Sequence, residues 1–292
     1  MCLPALALAA LLAADPAPGD PLYKELTEQG VAVGAAKVKL PAPLMTEGLD
    51  AAGQRAVLDK VMGERYAYDE FIRDSVVAPF ALTTTPLKGG YRIDLCFVAH
   101  GKFDALKREN LFTRITKPDK KADGNRQGLP SSTIILDEKA LKKRGIEVKP
   151  GDKVQEKYLA TTFPLLEKVQ LSGVAHSVQT LAPDSVLATI RLDPRFVKDP
   201  DYPDQWRPIT VDENGKLHVG APQPYTGFGG YAKVVPLREP AGALFVEVHL
   251  VFNEPPEWFK SNPGLLRSKL PLLMQDNVRK FRRELARESK AP

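Results

Sequence analysis

Between Val77 and Phe252 apolar and polar residues alternate through several stretches, and short turns separate them. PFALTTTPL and YRIDLCFVAH flank Gly89-Gly90, SVLATIRLD follows the Ala182-Pro183-Asp184 turn, and GGYAKVVPL and GALFVEVHLVF flank Glu239-Pro240-Ala241-Gly242. A period of two places alternate side chains on opposite faces of a strand. Strands joined by turns this short must pair antiparallel, because a parallel crossover needs a dozen or more residues. With KVQEKYLATTFPLLEKVQLSGVAHSVQTL and KLHVG added, the chain is expected to build a large antiparallel sheet.

Helical spacing appears before and after these strands. LDAAGQRAVLDKVMG sets Leu49, Val57, Leu58, Val61 and Met62 near one side, with Asp50 as N-cap and Gly63 as the stop. DEFIRDSV reads as a second short helix, LDEKALKKRG as a third that starts at Asp137 and stops at Gly145, and VAVGAAKVKL as a strand over 31–40. At the C-terminus Leu270, Met274, Val278, Phe281 and Leu285 fall on one stripe of a long helix, which Pro271 kinks or begins. The expected class is α+β: an antiparallel sheet with two short N-terminal helices and a long C-terminal helix.

The run from Leu3 to Ala14 is too short to cross a bilayer and is followed by DPAPGD, the pattern of a cleaved export leader. The expected organisation is a signal peptide over 1–14, a linker over 15–30, and one α+β domain over 31–292 with a basic insert near 102–153. The protein is accordingly expected in the periplasm or outside the cell, with no stable membrane span after processing. Only Cys2 and Cys96 are present, and Cys2 leaves with the leader, so the mature fold must be held by its core. The net charge of +5 is concentrated in the insert and the C-terminal helix. Within the insert, Thr113 to Ser132 is almost free of apolar residues and reads as an exposed loop.

No GxSxG, HExxH, P-loop, CxxC or acidic calcium loop occurs, so the sequence specifies no cofactor and no metal site. GFGG at 227–230 opens a strand and not a helix, which makes it a turn or bulge and not an anion cradle. All four histidines fall in or at the ends of strands. Alternation places Asp94, Cys96, Val98 and His100 on one strand face, and Phe245, Glu247, His249 and Val251 on another. If those faces meet, His249 with Glu247 or His100 forms an imidazole–carboxylate set suited to general-base work. Trp258 and Phe259 in EPPEWF are either anchors for the C-terminal helix or an aromatic pair at the rim of a binding site. Arg279, Lys280, Arg282, Arg283 and Arg287 form a basic helix face able to meet an anionic envelope component. Export argues against nucleic acid as its partner.

The order of strand, short helices, antiparallel strands and long C-terminal helix resembles the helix-grip arrangement of START-like lipid-binding and polyketide-cyclase-like proteins. The segments GLDAAGQRAVLDKV and LRSKLPLLMQDNVRKFRREL look like those of uncharacterised exported bacterial proteins. Three functions are therefore in view. The leading one is a non-catalytic binding or scaffold protein that takes an apolar small molecule in a cleft between sheet and helix. The others are an exported hydrolase using strand histidines, and an adaptor at the envelope surface acting through the basic helix.

Overall fold

The computed structural model describes residues 20–107, 129, 131–148, 151, 153–260, 262 and 264–290. The leader expected at 1–14 and nearly all of the Thr113–Ser132 loop lie outside them.

The expected α+β architecture is present: an eleven-stranded antiparallel sheet with a long C-terminal helix. The strands are β3 (Phe80–Leu87), β4 (Gly90–His100), β5 (Ser132–Ile135), β6 (Val154–Leu165), β7 (Val169–Leu181), β8 (Val186–Leu192), β9 (Gln205–Val211), β10 (Leu217–Val219), β11 (Gln223–Pro224), β12 (Phe228–Pro236) and β13 (Ala243–Asn253). The path through the sheet runs β10-β9-β7-β8-β12-β13-β4-β3, with β6 and β5 continuing from β7. The joint that closes the architecture is β4 on β13, which pairs Gly90–His100 with Ala243–Asn253 over the full length of both strands. A second long-range joint pairs β8 with β12, while β3–β4 and β12–β13 are hairpins read from the sequence.

Alternation on β4 and β13 divides the sheet into two unlike faces. Ile93, Leu95, Phe97 and Ala99, with Leu244 and Val246, pack beneath α5 (Leu265–Lys290). The helix contributes Leu266, Leu270, Val278, Phe281 and Leu285, and Phe281 meets Phe97 edge-on at 5.5 Å between ring centres. The predicted stripe is thus the helix core face, with Met274 half-buried beside it. Pro271 lies inside the helix on its exposed side.

The opposite face is covered by the N-terminal part of the chain. Residues 20–30, expected as linker, instead form a packed helical segment, α-helical over Pro21–Lys24 and π-helical over Glu25–Gln29. Asp20 caps α1 (Pro21–Lys24) by accepting from the amides of Leu22 and Tyr23, and Leu22, Tyr23 and Leu26 are buried. The difference is physical: three large apolar side chains in PLYKEL have a sheet face available to bury them, which composition alone does not disclose. VAVGAAKVKL is a small hairpin and not a single strand, β1 (Val31–Val33) and β2 (Ala36–Val38), turning at Gly34 with φ 57°. Residues 40–47 then cross the sheet without regular structure, Leu40, Pro43 and Met45 pointing inward. Helix α2 (Ala51–Met62) follows, with Asp50 accepting from Gly53 N and Gly63 at its end, and α3 (Tyr68–Phe71) is a single turn. Helix α4 (Glu138–Lys142) is capped by Asp137, as its sequence predicts.

The GFGG glycines serve close packing. Gly227 has φ 99°, and Gly230 sits in β12 where an added Cβ would fall 2.3 Å from Leu250 and 2.5 Å from the His249 carbonyl. No helix of the described residues is long and apolar enough to cross a membrane.

Candidate functional site

The face opposite α5 carries a belt of polar side chains between two apolar clusters. One cluster gathers Leu22, Tyr23, Val31 and Leu40 over Tyr231 and Val251, and the other gathers Met45, Leu58 and Phe71 over Cys96, Val98 and Phe245. Between them the register aligns Asp94 with His249 and His249 with Tyr231, and in the next row Cys96 with Glu247 and Glu247 with Lys233. The two strand faces singled out in the sequence therefore do meet, side by side in one sheet and not across a gap.

His249 Nδ1 lies 2.7 Å from Asp94 Oδ1, and Arg92 Nε donates to Asp94 Oδ2 at 2.9 Å. Burial alone would raise the Asp94 carboxyl, but His249 and Arg92 outweigh it and hold the carboxyl below its usual range. Glu247 is fully buried and accepts from Leu44 N at 2.9 Å, and burial pushes its carboxyl up despite that bond. Lys233 is 1% exposed, and burial pulls its amine down against the pull of Glu47, whose Oε1 lies 3.8 Å away. Burial likewise pushes the Cys96 thiol well up, so it stays protonated. Lys233 Nζ, Glu247 Oε1 and His249 Nε2 are buried with no hydrogen-bond partner.

This belt answers the catalytic expectation. His249 is 3% exposed and sits under the Tyr231 ring at 4.9 Å, so its imidazole has no route to substrate in this state. Its partner is Asp94, neither Glu247 nor His100. His100 lies six positions along β4 from Asp94, where it bonds the Ile72 carbonyl at 2.7 Å and fixes the loop after α3.

The second polar constellation is open. A cleft of about 300 Å³ is lined by Pro21, Leu22, Glu25, His176, Arg191 and the Asp193–Arg195 turn. Arg191 reaches Glu25 at 2.5 Å, joining β8 to the segment after α1. Asp193 caps the Pro194 turn and binds Arg195 at two atoms, while Arg195 also donates to Tyr158 OH at 3.0 Å. The Tyr158 ring stacks on His176 at 4.6 Å, and its hydroxyl donates to Glu156. His176 Nε2 lies 2.7 Å from that same carboxylate. Burial lowers the affinity of His176 for a proton more than Glu156 raises it, so the ring is neutral at pH 7. Among the described residues a second cleft, of about 480 Å³, is bounded by Glu138, Lys139 and Lys142 of α4 and by Lys143 at its end. Neither cleft lies between the sheet and α5, where Leu266, Leu270, Val278, Phe281 and Leu285 pack against the strands.

The remaining candidates divide cleanly. Trp258 and Phe259 are buried under α5, with Trp258 5.3 Å from Tyr225 and 6.2 Å from Trp206 between ring centres. They serve as anchors and form no rim. Arg283 and Arg287 are exposed, Arg287 pairing with Glu284, and Arg279 and Lys280 are half-buried. Arg282 departs from the expected basic face: it is 5% exposed and donates to the carbonyls of Val98, Val76, Ala78 and Pro79. Burial brings its guanidinium down to about 10. Its neighbour Phe281 points into the core, and the loop at 76–79 offers carbonyls that only this guanidinium fork satisfies. No group of three or more His, Cys, Asp or Glu able to hold a metal ion occurs among the described residues.

Sequence reading missed Lys233, Glu47, Arg191 and Glu25. A signal for Lys233 was present, because GGYAKVVPL is apolar on both faces except at that position. The pairing of Arg191 with Glu25 had none, since one of its partners lay in the expected linker.

No protein-family model matches the chain, and no curated protein sequence does, so the likeness to exported bacterial proteins drawn from residues 48–61 and 266–285 gains no support. Among solved structures, the human StarD13 (DLC2) lipid transfer and protein localization domain is similar at a TM-score of 0.40 and 7% identity, over 81% of this chain and 98% of that one. Human STARD10 is similar at a TM-score of 0.34 and 7% identity, over 81% of each chain. Likenesses of this size carry no argument about function, and the α+β class rests on the sheet and helix themselves.

Proposed function

We propose that this chain is an exported, non-catalytic binding protein that holds a small polar ligand in the cleft at Glu25, His176, Arg191 and Asp193–Arg195. The observation that carries the reading is the contrast in access between the two polar sites. The imidazole–carboxylate pair of His249 with Asp94 is packed away, while the charged side chains at the open cleft are engaged with one another, Arg191 with Glu25 and Arg195 with Asp193, beside His176 held against Glu156. Groups fixed in mutual ion pairs recognise a ligand by preorganised donors and acceptors. The cleft carries both charge signs, Glu25 and Asp193 against Arg191 and Arg195, so it suits a ligand bearing both donors and acceptors.

Thermal-shift and titration measurements across amino acids, short peptides and small sugars test the assignment. A ligand of this site should bind Arg191→Ala at least about tenfold more weakly, the equivalent of about 1.4 kcal/mol. A ligand whose affinity is the same for wild type, Arg191→Ala and Arg195→Ala removes the cleft from consideration. Export itself is checked by intact mass: retention of Met1 in the exported protein contradicts it. The adaptor reading survives on Arg279, Lys280, Arg283 and Arg287 without Arg282, and the two exposed arginines on the outer face of α5 favour it.

A further inference from the structure

We propose that residues 40–47 are a strap latched over the buried belt, and that opening it is what gives solvent access to His249. The strap has no regular secondary structure, so neither helix nor sheet bonding holds its backbone in place. Beyond the Leu40 amide, which donates to the Leu26 carbonyl at 3.1 Å, its polar attachments come from side chains beneath it. Tyr231 OH donates to the Pro41 carbonyl at 2.7 Å, and the Glu247 carboxylate accepts from Leu44 N at 2.9 Å with further support from the Met45 amide. Ser185 Oγ donates to Glu47 Oε1 at 2.6 Å, and the same oxygen lies 3.8 Å from Lys233 Nζ. Met45, fully buried between these points, is the apolar pin.

Two observations distinguish this arrangement from ordinary packing. Past Leu40, the polar attachments at Pro41, Leu44, Met45 and Glu47 come from the belt or beside it, so the same groups that are costly to bury hold their cover down. In addition, Lys233 Nζ, whose Glu47 partner is 3.8 Å away, Glu247 Oε1 and His249 Nε2 lack a hydrogen-bond partner under that cover. Buried polar atoms in this condition favour any motion that admits water to them. The closed state is therefore held by the Glu47 end, where the carboxylate that compensates Lys233 is itself partly exposed. Losing that carboxylate loosens the strap from its 47 end and leaves the sheet intact.

The test is residue-resolved hydrogen exchange on the full chain under native conditions, combined with mapping of diethylpyrocarbonate modification at His249. Glu47→Gln should speed exchange at the Leu44 and Met45 amides, and modification of His249, about tenfold or more. Exchange at the paired amides of β12 and β13 should not change. Ser185→Ala, which removes the other hold on Glu47, should shift the same two readouts in the same direction by less. Unchanged strap exchange in both variants overturns the latch. So does equal acceleration across strap and sheet, which marks a global loss of stability and not a local opening.

Discussion

Beneath α5 the central strands present Ile93, Leu95, Phe97, Leu244 and Val246 to a helix stripe that answers in kind. One residue along the same strands, the opposite face presents Asp94, Cys96, Glu247, His249, Tyr231 and Lys233 to a cover of short, irregular pieces. The first face is held by area: apolar surface removed from water is worth about 25 cal/mol per Å² and needs no directional partner. The second face needs directional partners, because a buried charge or amide without one costs several kcal/mol. A single amphipathic helix suffices for the first. The second requires a cover able to bring backbone amides, carbonyls or a carboxylate to polar groups, and an irregular segment such as 40–47 does this for Tyr231, Glu247 and Lys233 where a helix, its own amides consumed, does not.

The largest expected effect falls on the apolar face. Phe281→Ala should destabilise the protein by about 3 to 5 kcal/mol in a denaturant titration, through lost burial and the cavity left against Phe97. A variant that unfolds at the wild-type midpoint would show that the helix is not part of the core. The next effect separates the faces by their pH dependence. Lys233→Met removes the cation cross-strand from Glu247 and paired with Glu47, and should cost about 2 kcal/mol near neutral pH. The Glu247 carboxyl is already raised by burial, so stability tied to it is present at low pH and is lost as pH rises through its folded value. Lys233→Met should therefore lose less stability at pH 5 than at pH 8, and Glu247→Gln in the same chain should recover part of the loss. An equal loss at both pH values would mean that Lys233 acts by packing and not by charge. Phe281→Ala should show no such slope.

The smallest effect tests whether burial of an acid alone reproduces the belt's behaviour. Asp204 lies away from the belt, where it accepts from Val174 N at 2.8 Å and its other oxygen has no partner. Burial pushes it up to about 7. The sign follows directly: stability tied to the protonated acid is full below the ordinary carboxylate range and is lost as pH rises through about 7. Asp204→Asn should flatten that decline by about 1 kcal/mol or more between pH 5 and 8, measured by urea midpoints. A decline of undiminished slope would assign the pH dependence to the belt instead.

Legibility in the sequence follows the range of the interaction. The hairpins β3–β4 and β12–β13, the caps at Asp50 and Asp137, and the stripe on α5 depend on residues a few positions apart, and each was readable. The helix at 21–24 was hidden because its stability comes from packing on a distant sheet and not from its own four residues. Arg282 was assigned to the solvated face by its flanking charges, yet one helical step from Phe281 it meets four carbonyls that nothing local announces.

By itself, the sequence determined which side chains share a strand face, because alternation is a property of the backbone and holds wherever the strand goes. It therefore grouped Glu247 with His249, and Asp94 with Cys96. Only the tertiary structure decided that these groups lie side by side, in the register that sets Asp94 opposite His249 across strands about 150 residues apart in the chain. The same register set Lys233 beside Glu247. It also decided that the N-terminal segment covers them, sealing one histidine while leaving His176 at an open cleft. Burial and partner choice are sums over contacts made by the whole chain, and those sums exist only once the sheet has closed.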